Sequence, residues 1–517
     1  MNVMDVKVKQ GRIEAEPAEV LVVTHYEGDS SLQEEAALVD KALHGALRDL
    51  LKSGEFEGKS QQTVLFHTQG KIQAKRVLLV GLGKKRDARL DSVRQAMGIA
   101  AKRVRQAGGR SFITPLQGLT LPRASRVDLA QAMVEGAILG CYQFNLYRSE
   151  KNSEPKDLTN MTVVEAHAQH LSEIKEGIRR GFASAEATVF VRDLCNHPSN
   201  IMTPARIASE AKAIGKERGV RVKILEQREA EKLGMGAFLG VARGSHEPPK
   251  FIILEYRGKS GARRNGRSPK PIVLVGKTIT FDTGGISLKP AENMEQMKAD
   301  MTGGAEVLAT VRAASRLRLP LHVIGILPAT ENMPGGRAIK PGDVLTTLSG
   351  KTVEVQNTDA EGRLILADGL AYATRLKPAA IIDIATLTGA CMVALGQFAV
   401  GMFSNNDALK KHIQQAGDKA GERVWEMPLW DEYFEQLRSD VADMRNIGGR
   451  GGGMITAAIF LSKFVGDWPW VHLDIASTDW SERERAYIPK GPTGIGTRLL
   501  IQYLIDEATA SRSAGLP

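Results

Sequence analysis

From Glu19 onward the chain alternates short β-branched runs with stretches whose apolar positions recur every three to four residues. Val20 to Val23, Val64 to His67 and Val77 to Gly81 read as strands, since branched side chains suit a pleated, half-buried surface. Leu32 to Leu51 and Val93 to Gln106 carry the helical period. Between Tyr147 and Asn160 the period dissolves into Ser, Asn, Lys, Glu and Pro, the composition of a linker, and a domain boundary is expected near there. A long charged helix, roughly Ala168 to Cys195, then leads into a second unit.

The second unit repeats the alternation. Val222 to Leu225, Phe251 to Tyr256, Ile272 to Val275, His322 to Leu327 and Ile381 to Ile384 read as strands, and Gly304 to Leu317 and Arg363 to Thr374 as helices. Continuous apolar runs such as Pro271 to Gly276 predict a sheet covered on both faces. Ala379 to Phe403 is the most apolar stretch, but Asp383, Gly389, Gly396 and Gln397 interrupt it, so it reads as strand, turn and buried helix rather than a membrane span. At 517 residues the chain outgrows one hydrophobic core. The expectation is an α/β protein of two domains, 1–165 and 196–517, with a linking helix over 166–195.

Composition narrows the function. Hydrophobic residues at 43% and charged ones at 25% exclude disorder, and 5% aromatic content advertises no platform for stacking bases. The net charge of +10, spread over so long a chain, reads as solubility. Arg257 to Lys270 is a basic run without acidic residues; it reads as a flexible surface loop, with a nucleic-acid contact as the functional alternative. Cys141, Cys195 and Cys391 include no C-x-x-C pair, which argues against a disulfide framework and for a reducing compartment. Met1 to Lys9 contains Asp5 and no apolar core, so no signal or transit peptide is visible and the cytosol is expected.

Three familiar motifs fail. Val77 to Gly83 ends in G-x-G, but Arg86 occupies the third glycine position of a dinucleotide site; Gly276-Lys277-Thr278 lacks the leading glycine of a P-loop, which is Pro271; and His246-Glu247 lacks a second histidine. Any metal must therefore rely on oxygen donors.

Oxygen donors gather in two segments placed where strands should end, the position at which α/β folds bind ligands. One runs from Val275 to Lys289 with Asp300 beyond it; the other is Asn357-Thr-Asp-Ala-Glu-Gly-Arg-Leu364. Asp359 and Glu361, spaced i, i+2, point to one side of an extended backbone. Gly362 opens room for close approach, and Arg363 presents a fork to a small planar anion. Asp282 and Asp300 supply two further carboxylates. Four carboxylates suit a pair of divalent ions about 3.5–4 Å apart, an arrangement that clamps both oxygens of a hydrolysis.

Asn357 to Leu364 carries unchanged the signature of the leucine aminopeptidase family of cytosolic metallopeptidases, which the chain resembles. The resemblance covers the second unit: Asn196 to Asn200 with Thr203-Pro204, Gly276 to Pro290, Thr386 to Gly389, Asn446 to Gly449 and His472 to Ala476. It implies a macro-like first domain that supports an oligomer, and a catalytic domain with a mixed central sheet between helices. It implies a tightly held metal on Lys277, Asp282, Asp300 and Glu361, and an exchangeable one on Asp282, Asp359 and Glu361, with zinc or manganese as the ions. By the same resemblance, water bridging the metals attacks the peptide, a bicarbonate on Arg363 takes its proton, and Lys289 hydrogen-bonds the oxyanion. Met297, Thr386, Leu387 and Gly389 match positions lining the side-chain pocket. The substrate's free α-amine ligates a metal, so only the first residue of a short peptide, preferably leucine, is released.

The resemblance also implies a homohexamer. Thr278 and Ser477 depart from the family pattern, in which glycine is usual at the first and common at the second. A bifunctional aminopeptidase that also binds DNA, as some bacterial relatives do, is the alternative, although no recognition helix is visible. An inert scaffold is the remaining reading, and the intact ligand set opposes it.

Overall fold

The computed structural model describes residues 4–116, 119, 121–122, 124–149, 157–259 and 269–513. Two compact units emerge: Met1–Val189 with Lys419–Gly421 and Arg483–Lys490, and Phe190–Asp418 with Glu422–Glu482 and Gly491–Pro517.

In the first unit β1 (Asp5–Gln10), β2 (Ala18–Glu27), β3 (Thr63–His67), β4 (Ala74–Lys84), β5 (Ser111–Pro115) and β6 (Asn160–Glu165) form one sheet, ordered β1-β6-β5-β2-β4-β3. Neighbours run parallel except β3, which pairs antiparallel with β4. The period of two sorts the side chains. Val20, Val22, Leu78 and Val80 enter the core shared with helices Leu90–Gln106 and Arg126–Gly140; Leu21, Val23, Val77 and Leu79 enter the one shared with Glu34–Ala42 and Ala46–Lys52. Because β6 lies between β1 and β5, the polar stretch before it joins two elements of one sheet; residues 150–156 of that stretch lie outside the described ones. The division between the units falls within helix Leu171–Asn196, after Val189.

The single helix expected over Leu32 to Leu51 is two. His44 (φ 58°) and Gly45 (φ 92°) take left-handed dihedrals that end the first, and the Asp40 carboxylate accepts from the Leu47 and Arg48 amides (2.9 and 3.2 Å) at the start of the second.

Helices Leu90–Gln106 and Arg126–Gly140 meet through glycine. A Cβ on Gly136 would lie 2.2 Å from the Arg94 carbonyl oxygen, and one on Gly140 2.6 Å from that of Gly98. Beside this contact Arg94 Nε donates to Glu135 Oε2 (2.5 Å) and Gln131 Nε2 to Glu135 Oε1 (2.9 Å), all three side chains buried.

The second unit contains β7 (Val220–Leu225), β8 (Lys250–Arg257), β9 (Ile272–Gly276), β10 (Thr278–Asp282), β11 (His322–Asn332), β12 (Val344–Thr346), β13 (Thr352–Glu354), β14 (Ala380–Ala385), β15 (Val400–Ser404), β16 (Val424–Glu426), β17 (Met444–Arg445) and β18 (Trp470–Asp474). Its main sheet runs β16-β15-β18-β14-β9-β11-β8-β7, with β10 paired to β11, while β12, β13 and β17 form a small separate sheet. The main sheet is mixed. Its centre, β18, β14, β9, β11 and β10, is parallel, and β8, β7 and β15 introduce antiparallel pairings. Helices cover both faces: Gly362–Thr374 and Gly453–Ser462 share one core with Val273, Val275 and Ile381, and Thr302–Arg316 packs on β9, β11 and β14. No helix among the described residues is long and apolar enough to cross a membrane.

The glycine contact in the first unit yields a stability test. Gly136→Ala must push its helix away from the Arg94 carbonyl and disturb the buried Arg94–Glu135 pair, so a loss of about 1–3 kcal/mol is expected. Urea unfolding followed by circular dichroism reads it, and an unchanged midpoint would show that the contact is slack.

Candidate active site

Parallel pairing brings the C-terminal ends of β9, β10, β11, β14 and β18 to one edge of the main sheet. Each end delivers a polar residue: Lys277 follows β9, Asp282 ends β10, Asn332 ends β11, Thr386 follows β14 and Asp474 ends β18. The Lys277 side chain passes over Gly362, where a Cβ would lie 2.5 Å from Lys277 Cε. Its Nζ donates to Asp300 Oδ1 (2.7 Å) and to the Thr386 carbonyl (2.9 Å), and lies 2.9 Å from Glu361 Oε1. Lys289 Nζ lies 2.9 Å from Asp282 Oδ2 and 2.5 Å from Asp359 Oδ1. Asn332 Nδ2 donates to Asp282 Oδ1 (2.8 Å), and the Thr386 hydroxyl to Asp300 Oδ1 (2.7 Å).

Asp359 and Glu361 come together by a different route from the extended backbone expected of their spacing. Residues 357–361 form a turn: Asp359 N donates to the Asn357 side chain (2.8 Å), and Glu361, already helical (φ −80°, ψ −35°), precedes helix Gly362–Thr374. With Asp282 the two offer three carboxylate oxygens all within 4.8 Å of one another.

Burial pushes the carboxyls of Asp300, Glu361 and Asp359 above the ordinary range, and neighbouring carboxylates add to the push. Burial disfavours the ammonium form of Lys277 and Lys289, but the surrounding carboxylates outweigh it and raise both above an ordinary lysine. Asp300 Oδ2 is nevertheless buried without a hydrogen-bond partner. An orphaned buried acceptor is costly, about 1–3 kcal/mol for a neutral group and more for a charged one, so this oxygen is suited to meet a cation. Carboxylates with one amine suit a hard or borderline divalent ion, so Lys277, Asp282, Asp300, Asp359 and Glu361 could hold metal.

Arg363 is buried in the first turn of its helix. Its Nη1 donates to the Asn446 carbonyl (2.9 Å), burial pulls its pKa down, and its Nε has no hydrogen-bond partner. Of the four residues matched to a side-chain pocket, Thr386 touches the carboxylate group. Met297 is half-buried in the 3-10 helix Met294–Ala299 beside Asp300, and Leu387 is half-buried against the core. Gly389 opens helix Gly389–Leu395, with nothing within 4 Å of where a Cβ would stand. That helix was expected to be buried. Cys391 is its one buried residue, and Val393 is 90% exposed.

Sequence reasoning assigned no role to Asn332, Asn446 or Asp474. Asn446 Nδ2 donates to the Asn357 and Ala360 carbonyls (2.7 and 3.3 Å), bracing the turn that carries Asp359. Asn332 lies beyond the apolar run of its strand, and only its position at a strand end signalled it.

Comparison with known proteins places this geometry in a family. The family model described as "Cytosol aminopeptidase family, catalytic domain" matches residues 189–501, and "Cytosol aminopeptidase family, N-terminal domain" matches residues 20–151. The chain is 48% identical over 468 residues to a probable cytosol aminopeptidase of Geotalea uraniireducens, covering 90% of this chain and 92% of the relative. It is 45% identical over 514 residues to one of Nitrosococcus oceani, covering 99% and 100%. Among solved structures, a mutant of tomato leucine aminopeptidase is similar with a TM-score of 0.86, 33% identity and coverage of 97% and 96%. The bottromycin maturation enzyme BotP in complex with Mn is similar with a TM-score of 0.82, 33% identity and coverage of 95% and 100%. The chain therefore belongs to the cytosol aminopeptidase family and is a metal-dependent aminopeptidase, a hydrolase.

Proposed function

We propose that the chain is a cytosolic leucyl aminopeptidase that releases N-terminal residues, preferably leucine, from short peptides with the help of two divalent ions. The observation that carries this reading is the cluster of Asp282, Asp359 and Glu361, whose carboxylate oxygens lie within 4.8 Å of one another, joined through Lys277 to the buried Asp300. Lys277, Asp282, Asp300 and Glu361 would hold one ion, and Asp282, Asp359 and Glu361 the other, zinc or manganese in each case. Such ions supply Lewis acidity and lower the pKa of water toward neutrality. A lysine that ligates must be neutral, so Lys277 gives up the proton it holds among the carboxylates.

The chain's own residues do the rest. Lys289, a quarter exposed and facing Asp282 and Asp359, keeps its charge and donates to the oxyanion that develops on the scissile carbonyl. Arg363, with a buried guanidinium and an unengaged Nε, would seat a bicarbonate, whose chemistry there is that of a general base. Met297, Thr386, Leu387 and Gly389 would line the pocket for the first side chain, the open space at Gly389 leaving room for a branched aliphatic group.

Three outcomes are expected. Chelator-stripped protein should lose hydrolysis of leucine p-nitroanilide and of a leucyl dipeptide, and added zinc or manganese should restore it; a rate indifferent to metal would sink the reading. Lys289→Ala should lower kcat by about 10²–10³-fold with KM little changed, since the donor acts on charge absent from the ground state. Steady-state kinetics on the dipeptide separates the two constants, and an effect confined to KM would make Lys289 a substrate-binding group instead. Light scattering should give a homohexamer, six times the mass of the 56.1 kDa chain, and a monomeric mass would refute that assembly.

A further inference from the structure

Asp474, the last residue of β18, is completely buried and commits both carboxylate oxygens to the segment after β14 and to its own chain. Oδ1 accepts from the Leu387, Thr388 and Ala476 amides at 3.2, 3.4 and 3.2 Å, and Oδ2 accepts from the Thr388 hydroxyl at 2.7 Å. Four donors converge on the two oxygens of one carboxyl group, a set that an amide, with a single acceptor oxygen, could match only in part.

Beyond this clamp the segment is held by Leu387, Ala390, Cys391 and Leu395 against the core and by the contacts of the Cys391 sulfur with the Asp474 carbonyl and the Ser477 hydroxyl. In helix Gly389–Leu395 only Cys391 is buried, and Thr388 caps the helix by accepting from Cys391 N (3.1 Å). Immediately before this anchor stands Thr386, whose carbonyl accepts from Lys277 Nζ and whose hydroxyl donates to Asp300 Oδ1. Any drift of the turn would therefore reach two of the groups assigned above to one ion.

We propose that Asp474 is a positioning residue that clamps the Leu387–Thr388 backbone and so holds Thr386 where it orients Lys277 and Asp300. This rests on the metal reading given under Proposed function. The contrary view makes Asp474 a buried strand-end acid that serves folding alone. The two differ in what they predict for a folded variant, because a purely structural acid leaves metal affinity untouched.

Full-length protein is stripped with a chelator, checked for folding by circular dichroism, and titrated with manganese against a metal indicator dye. Asp474→Ala should bind manganese about 10–100-fold more weakly than wild type, the range typical of residues that orient a metal ligand. With manganese saturating, its kcat should still fall. Asp474→Asn keeps one acceptor for the three amides and should recover most of the affinity. Thr386→Val should resemble Asp474→Ala, and the double variant should be little worse than either, as for two links of one chain. If Asp474→Ala does not fold, Asp474→Asn and Thr388→Val decide the matter, each expected to weaken binding about 3–10-fold, below the full loss. Wild-type affinity in folded Asp474→Ala, or in both milder variants, overturns the inference while the metal reading stands. A wild-type protein that takes up no manganese overturns the metal reading first, and this inference with it.

Discussion

Asp282, Asp300, Asp359 and Glu361 are forced together at the edge of a buried sheet, and two ammonium groups neutralise only half of their charge. At 4 Å and an effective dielectric near 20, two like charges repel by about 4 kcal/mol, so such a group needs cations or protons to persist. The lysines divide the task, Lys277 facing Asp300 and Glu361, and Lys289 facing Asp282 and Asp359. Neutral donors take up further lone pairs, the Asn332 amide and the Gly284 N–H on Asp282 and the Thr386 hydroxyl on Asp300. What remains is a deficit of positive charge localised on buried oxygen, of a kind that a bound cation can remove where more hydrogen bonds cannot.

Holding such a group in place falls to the backbone of the parallel strands. Lys277 N donates to the Ile384 carbonyl (3.1 Å) and the Lys277 carbonyl accepts from Gly304 N (2.8 Å), so the lysine is pinned between β14 and the start of helix Thr302–Arg316 before its side chain makes a contact. Asp282 is fixed in the same way by the pairing of β10 with β11, opposite Asn332. Of the carboxylates that do not come from strand ends, Asp300 follows the 3-10 helix Met294–Ala299, and Asp359 and Glu361 depend on a turn braced by Asn446. Rigid strands and a braced turn thus meet at one point, which is how side chains far apart in sequence keep separations under 3 Å.

Much of this was legible in the sequence because the signals were local. The apolar runs of β9 and β14 stand out since both faces of those strands are buried, and Lys277 and Thr386 follow directly on them. The turn at 357–361 differs from the extended reading for a physical reason: an i, i+2 pair of carboxylates looks the same on a pleat and on a tight turn, and the hydrogen bonds from Asp359 N to the Asn357 side chain and from Asn446 to the Asn357 carbonyl choose between them. The helix over Leu32 to Leu51 divides because the interruption at His44 and Gly45 is set by a local side-chain contact, the Asp40 carboxylate on the Leu47 and Arg48 amides, which the apolar period does not encode. Helix Gly389–Leu395 looked buried from its composition, yet apolar residues at a site rim are exposed for reasons that periodicity does not encode. The basic run could not be judged, since residues 260–268 lie outside the described ones.

The two departures from the family pattern can be weighed by what they touch. Thr278 directs its hydroxyl to the Gly276 carbonyl (2.8 Å), and a Cβ on residue 304 would lie 2.2 Å from that oxygen, so a threonine at 278 is compatible with glycine at 304 and with little else. The extra side chain is accommodated on the helix side of β10, and none of its contacts involves a carboxylate of the site. Ser477 is placed otherwise. Its hydroxyl donates to the Ala399 carbonyl (2.9 Å) and lies 3.4 Å from the sulfur of Cys391, the one buried residue of the helix that Gly389 opens. A glycine there would free both the 396–399 segment and that helix, whereas serine ties them to the strand end occupied by Asp474. Of the two substitutions, Ser477 is the one that touches helix Gly389–Leu395, the element that follows the residues proposed to line the side-chain pocket.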